Sequence, residues 1–204
     1  MRYPKIRELK EAIKSLFSRA YTSDFPRKPH TPYERFRGRP YFHEEDCTGC
    51  AACAQVCPAK AIDVNDEVRG GRAVRKLTVH WDICICCGQC QANCLTLKGI
   101  MLSQEFDLAT TQKREDLKQT LEKEFVICEC CGEPVLPYDQ YAWVIKRLGS
   151  LTFTNASLLL FYLRSAGLAL KERFIAGNIQ APVNRATRTK ILCPRCRREA
   201  VIKS

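Results

Sequence analysis

Eight cysteines between residues 47 and 94 repeat one spacing twice. Cys47, Cys50, Cys53 and Cys57, followed by Pro58, read C-x2-C-x2-C-x3-C-P, and Cys84, Cys87, Cys90 and Cys94 repeat the spacing without the proline. Thiolates so placed suit iron–sulfur cubanes. Three neighbouring sulfurs wrap one cluster, and the tight loop sends the fourth to the other cluster. The expected ligand sets therefore interlock: Cys47, Cys50, Cys53 and Cys94 for one [4Fe–4S] cluster, and Cys84, Cys87, Cys90 and Cys57 for a second. Zinc is the main metal alternative, but paired zinc sites do not require an eight-cysteine duplicated register.

A further set lies downstream. Cys128-Glu129-Cys130-Cys131-Gly132 and Cys193-Pro194-Arg195-Cys196 are two knuckles of the zinc-ribbon or rubredoxin kind, separated by a long insertion. Cys128, Cys131, Cys193 and Cys196 together offer four thiolates, which suits one structural zinc or, alternatively, a single iron. Cys86 and Cys130 fall outside both spacings. Cys86 is expected to pack as a small apolar residue beside the second cluster, or to substitute if Cys87 is lost, and Cys130 to be structural or solvent-facing. Leu95 stands where a proline would follow Cys94, a change expected to alter the turn rather than the ligand.

No separate reaction centre accompanies these thiols. His30, His43 and His80 are scattered, and neither a nucleophile–base pair nor a Gly-rich cofactor loop is present. No catalytic residue is assigned, and electron relay is the simpler role. Relay calls for a dry shell around each cluster, for which Ile62, Ile83 and Leu95 are candidates.

The chain that must position these groups has 204 residues, an ordinary hydrophobic fraction of 46% and fourteen cysteines. The N-terminus lacks the apolar core of an export signal, so reduced thiols are expected. The longest apolar stretch, Ala156 to Leu170, is broken by Arg164 and is too short to cross a bilayer. The net charge of +11 is concentrated in residues 1–40 and 181–204, around a centre close to neutral. Basic ends of this kind suit anionic partners: acidic proteins, lipid headgroups or nucleic acid.

Along the chain, Ile6, Leu9, Ile13, Leu16 and Phe17 recur at helical spacing within residues 4–20 with basic residues around them, predicting a basic amphipathic helix. Pro26, Pro29, Pro32 and Pro40 predict an extended connector. In the cysteine-rich block a strand is expected near Ala61–Val64, a turn at Gly70-Gly71 and an alternating strand over Ala73–His80. Leu117 and Leu121, one helical turn apart in a charged stretch, suggest a linking helix over 111–124. Further helices are expected at Tyr138–Leu148 and Asn155–Arg173, the latter capped by Thr154 or Asn155. The expected class is α+β. Residues 1–40 form helix and arm, 41–110 a two-cluster ferredoxin-like domain, 111–124 the link, and 125–204 a zinc-ribbon-like helical module.

The basic helix, Thr22-Ser23-Asp24-Phe25-Pro26, Arg35-Phe36-Arg37-Gly38-Arg39 and both cysteine repeats resemble the iron–sulfur subunits shared by respiratory complex I (chain I type) and membrane-bound group 4 [NiFe] hydrogenases. The resemblance covers residues 1 to about 110. It implies a non-catalytic subunit, peripheral to a membrane arm on the cytoplasmic face of the cell membrane, that hands electrons to a small subunit beside the hydrogenase large subunit. The upstream donor it implies is of low potential: ferredoxin, or a formate or carbon monoxide dehydrogenase module. The C-terminal cysteines are similar to an extension in formate hydrogenlyase subunits that complex I versions generally lack, which favours hydrogenase over an NADH:quinone oxidoreductase. A nucleic-acid-binding zinc ribbon, suggested by Arg195, Arg197 and Arg198, is the runner-up of a different class, and no nucleic-acid partner is expected.

Overall fold

The structure, a computed structural model, describes residues 5–19, 22–69, 72–111, 113–169 and 190–202. By internal contacts the chain divides into Met1–Glu34 and Arg35–Ser204. In the first unit, helix α1 spans Ile6–Phe17, and Glu8 accepts a hydrogen bond from the Lys5 backbone N–H to close its first turn. None of its residues is buried, and Ile6 and Phe17 are each 87% exposed. The proline-rich connector that follows is largely exposed and has no regular element before residue 40.

The second unit opens with strand β1 (Pro40–Phe42), helix α2 (Ala52–Gln55) and strand β2 (Ile62–Arg69). It then repeats the pattern with β3 (Arg72–His80), α3 (Gln89–Ala92) and β4 (Ile100–Leu102). Each β-α-β repeat carries one cysteine motif. The repeats clasp each other because β1 pairs antiparallel with β4, and β2 with β3 from Ile62↔Val79 to Arg69↔Arg72. The expected Gly70-Gly71 turn lies outside the described residues. Leu77 and Val79, both without exposed surface, join Phe42, Ile62, Trp81, Ile100 and Leu121 in a core that includes Cys47, Cys53 and Cys90.

Residues 118–127 correct the expectation of a linking helix. Lys118–Ile127 is strand β5, preceded by a 3-10 turn at Arg114–Asp116. The Leu117/Leu121 spacing suggested a helix, but buried Leu121 and Lys123 alternate with exposed neighbours, as a half-buried strand requires. The free edge of β3 decides it: β5 pairs there antiparallel, Leu77 opposite Leu121. Local propensity yields to the apolar burial and ladder that this edge offers. The sheet continues to β6 (Pro134–Pro137), with a bulge at Val126/Ile127, giving the order β2-β3-β5-β6.

Helix α4 spans Tyr138–Leu148 as the periodicity predicts. Helix α5 runs Ala156–Ser165, capped by Asn155, whose side chain accepts from the Ser157 and Leu158 amides. It ends well before Arg173, because the chain turns at Gly167 (φ 73°); residues 170–173 lie outside the described set. Tyr141 stacks on Phe161 with ring centroids 4.8 Å apart, and both pack with Ile191, two residues before Cys193. Helix α6 (Pro194–Ile202) completes the module. No helix among the described residues is long and apolar enough to cross a membrane.

Candidate cluster and metal centres

Two cavities flank the β1–β4 and β2–β3 pairs, and each is edged by four of the eight predicted cysteines. Cys47, Cys50, Cys53 and Cys94 surround one, with Phe42, Leu77 and Ile100 in its wall. Cys57, Cys84, Cys87 and Cys90 surround the other, with Ile62, Val79 and Leu102 in its wall. The fourth cysteine of each motif thus lies at the other motif's cavity, in the crossed arrangement expected from the spacing. Ile62 is in the dry shell, whereas Ile83 and Leu95 are exposed. Leu77, Val79 and Ile100 take their place, because the shell is drawn from strands rather than from ligand loops.

The duplication extends to the backbone. Gly49, Ala51 and Lys60 have positive φ, and so do Cys86, Gly88 and Leu97, each displaced by the interval that separates Cys47 from Cys84. Cys86 therefore occupies the left-handed loop position held by a glycine in the first repeat, and it also lines the second cavity. After the fourth cysteine, Lys60 N donates to the Cys57 carbonyl and Leu97 N to the Cys94 carbonyl at 3.2 and 3.1 Å. The same turn forms with Pro58 or with Leu95.

Burial makes Cys47, Cys53, Cys84 and Cys90 resist ionisation. Burial pushes Cys53 up to about 12 and Cys84 to about 11, with neighbouring sulfurs adding to the rise. Burial also raises Cys47, against the Gly49 amide and the charge of Lys123. Cys94 goes the other way: burial opposes ionisation, but the Thr96 hydroxyl and the Thr96, Ile100 and Gly99 amides hold its pKa below the usual thiol range. The Ala61 amide likewise donates to Cys57 Sγ at 3.3 Å. Buried, amide-ringed sulfur sets suit an iron–sulfur cubane, whose irons would bind them as thiolates.

Three cations grip the ligand loops by their carbonyls. Arg37 donates to the Cys87 carbonyl at 3.0 Å, Arg75 to that of Gly49 at 2.8 Å, and Lys123 to that of Glu44 at 2.5 Å. Arg75 is held by both oxygens of Asp66 and lies over the Phe125 ring. The Arg35–Arg39 segment docks through Gly38 N to the Ser103 carbonyl (2.8 Å), while Arg39 covers the Trp81 ring at 4.3 Å and pairs with Glu105. These roles went unassigned in the sequence reading. The Arg-Phe-Arg-Gly-Arg segment was a signal for Arg37 and Arg39, but nothing local marks Lys123, which reaches the loop only through β5.

In the C-terminal module the sulfurs of Cys128, Cys131, Cys193 and Cys196 all lie within 4.8 Å of one another, and Cys131 Sγ and Cys193 Sγ are 3.7 Å apart. A tetrahedron with metal–sulfur bonds of about 2.3 Å has edges of about 3.8 Å, so the set fits one four-coordinate ion. The Cys193 amide donates to Cys128 Sγ at 3.2 Å, and with the Cys131 and Cys130 amides it holds Cys128 below the usual range despite burial. Burial and crowding raise Cys131 to about 11 and push Cys196 up as well. Glu129 ties the knuckles together: its amide donates to the Ile191 carbonyl, and its carboxylate takes the Ile191 amide and Arg164. Cys130 packs against this core. Arg197 turns inward to the Ser157 hydroxyl, while Arg195 stays exposed beside Glu199.

Residues 40–63 match the 4Fe-4S binding domain model, from β1 through the four cysteines of the first motif to the start of β2. The chain is 36% identical over 129 residues to formate hydrogenlyase subunit 6 of Escherichia coli (strain K12), covering 62% of this chain and 68% of that protein. It is 31% identical over 119 residues to NADH-quinone oxidoreductase subunit I 2 of Geobacter metallireducens, covering 55% of this chain and 89% of that one. It spans less than half, 46%, of the NAD(P)H-quinone oxidoreductase subunit I of Gloeobacter violaceus, at 30% identity. A chain in the solved structure of the membrane-bound sulfane sulfur reductase, an archaeal respiratory membrane complex, is similar at 26% identity and a TM-score of 0.40, over 57% of this chain and 62% of that one. The shared length and identity establish what the Arg-Phe-Arg-Gly-Arg segment and the cysteine repeats implied: this chain belongs to the family of iron–sulfur subunits that includes formate hydrogenlyase subunit 6 and the NADH-quinone oxidoreductase subunits I.

Proposed function

We propose that this chain is the electron-relay subunit of a membrane-bound [NiFe] hydrogenase of the formate hydrogenlyase kind. In this reading Cys47, Cys50, Cys53 and Cys94 hold one [4Fe–4S] cluster, and Cys84, Cys87, Cys90 and Cys57 hold a second. The observation that carries it is the pair of neighbouring cavities, each edged by three thiols of one motif and the fourth of the other. The clusters supply one-electron transfer, and the protein's part is to hold them rigid and dry. Leu77, Val79 and Ile100 exclude water, and Arg37, Arg75 and Lys123 fix the loops. Cys128, Cys131, Cys193 and Cys196 hold a structural zinc that closes the C-terminal module, with a single iron as the alternative.

The chain sits on the cytoplasmic face of the membrane, peripheral to a membrane arm. There it takes electrons from a low-potential donor, ferredoxin or a formate or carbon monoxide dehydrogenase module, and passes them to the hydrogenase small subunit beside the large subunit. Helix α1 supports that placement, because its apolar side chains are exposed and Arg7, Lys10 and Lys14 stand among them. The alternative is a chain I-type subunit of an NADH:quinone oxidoreductase, favoured by the match that spans 89% of such a protein. That match uses 55% of this chain, and a four-cysteine module beyond the two repeats supports the hydrogenase reading.

Iron and acid-labile sulfide assays on anaerobically purified protein, with EPR, should return about eight of each in two cubanes. A single cluster, or zinc in residues 47–94, would end the reading. Native electrophoresis of membrane extracts should find the chain with hydrogenase activity. Deleting residues 1–22 should release it with both clusters assembled, and retention in a fully active complex would show that α1 does not anchor it.

A further inference from the structure

Lys123 lies on β5, yet its side chain reaches the ligand loop of the first cavity. It is 8% exposed, and its stem is so close to the loop that a Cβ built on Gly49 would lie 3.1 Å from Lys123 Cβ. Its Nζ donates to the Glu44 carbonyl, three residues before Cys47, and pairs with Asp139 Oδ2 at 2.7 Å. Asp139 is in the first turn of α4, in the module that carries the four-cysteine site. That helix packs through Tyr141 onto Phe161 and Ile191, and Ile191 precedes Cys193 by two residues. At the second cavity the loop is held instead by Arg37, an exposed side chain whose charge solvent screens.

We propose that Lys123 is a positioning residue that sets the reduction potential of the cluster held by Cys47, Cys50, Cys53 and Cys94, and that Asp139 ties this setting to the C-terminal module. The proposal rests on the two-cluster reading above. Reduction adds one electron, and so one negative charge, to a cluster. A cation held close and out of water favours the reduced form and raises the potential. A carboxylate against that cation offsets part of its field. Lys123 and Asp139 therefore act on one cluster with opposite sign, and the balance depends on α4 staying in place.

The test is an anaerobic EPR-monitored redox titration of the full chain, unsubstituted and as Lys123→Met, Asp139→Asn and the double variant, with iron content and thermal unfolding measured on each. Lys123→Met should shift one of the two midpoint potentials down. Asp139→Asn, which leaves Lys123 its bond to the Glu44 carbonyl, should shift the same one up. The double variant should fall between them, and the other potential should stay put in all three. A purely structural role would move both substitutions in one direction or disturb both clusters, and either result overturns the proposal. So do two unshifted midpoints in intact protein. If Lys123→Met does not fold, the upward shift in Asp139→Asn alone decides. Fewer than about eight irons in the unsubstituted chain would overturn the two-cluster reading itself.

Discussion

Gly38→Ala should be the most damaging single-methyl change in the Arg35–Arg39 segment. A Cβ built on Gly38 would lie 2.2 Å from the Glu105 carbonyl oxygen, 2.7 Å from that of Ser103 and 2.9 Å from Glu105 N. All three are backbone atoms, so no rotamer change relieves the clash, and ordinary carbon–oxygen contacts need about 3.3 Å. The two segments must separate by about 1 Å. That breaks Gly38 N to the Ser103 carbonyl (2.8 Å) and Ser103 N to the Arg39 carbonyl (3.0 Å), and weakens Arg39 N to the Glu105 carbonyl (3.3 Å). At about 1 kcal/mol per bond the loss is about 2–3 kcal/mol. Arg39 moving off the Trp81 ring adds about 0.5–1 kcal/mol. For a chain of this length the total of about 2.5–4 kcal/mol corresponds to a fall in Tm of about 5–16 °C. Scanning calorimetry under anaerobic conditions measures it. Iron content should also fall, because Arg37, one residue away, is drawn off the Cys87 carbonyl. A Tm within about 2 °C of the unsubstituted protein would refute the reasoning, since it would mean that the close approach carries no structural weight.

Cys86→Gly should keep all iron and gain about 1 kcal/mol, because φ 52° suits glycine and strains other residues; a drop to half the iron would instead make Cys86 a ligand. Replacing Cys193 by Ser, or stripping the C-terminal metal with a chelator, should unfold α4 to α6 while both cubanes survive, since Ile191 loses its anchor. X-ray absorption at the zinc edge should show four sulfur neighbours, and loss of cubane EPR signals alongside the zinc would contradict the separation. Iron loading of the metal-free protein should strengthen as pH rises from 7 to 9. With Cys53 raised to about 12 and Cys84 to about 11, both stay protonated there, and iron must displace those protons. A pH-independent titration would mean that these thiols are not the ligands.

Cysteine spacing carried much of the site because cluster chemistry is local. Three thiols so closely spaced suit one cubane, with the fourth directed elsewhere, and the structure groups the eight thiols around two cavities in that crossed pattern. The amphipathic periods of α1 and α4 were local in the same sense. Residues 118–127 were not. Leu117 and Leu121 suit a helix as well as a strand, and only the open edge of β3 makes the strand the better burial. The dry shell passed from Ile83 and Leu95 to Leu77, Val79 and Ile100 for a related reason, since which side chains face a cavity depends on how the two repeats clasp. The contact between Lys123 and the first ligand loop needed both: β5 had to pair with β3, and Asp139 had to arrive on α4. Candidate ligands are thus marked by short spacings that chemistry reads directly. The charges around the ligands come from residues distant in sequence, and only the packing of strands and helices brings them to the site.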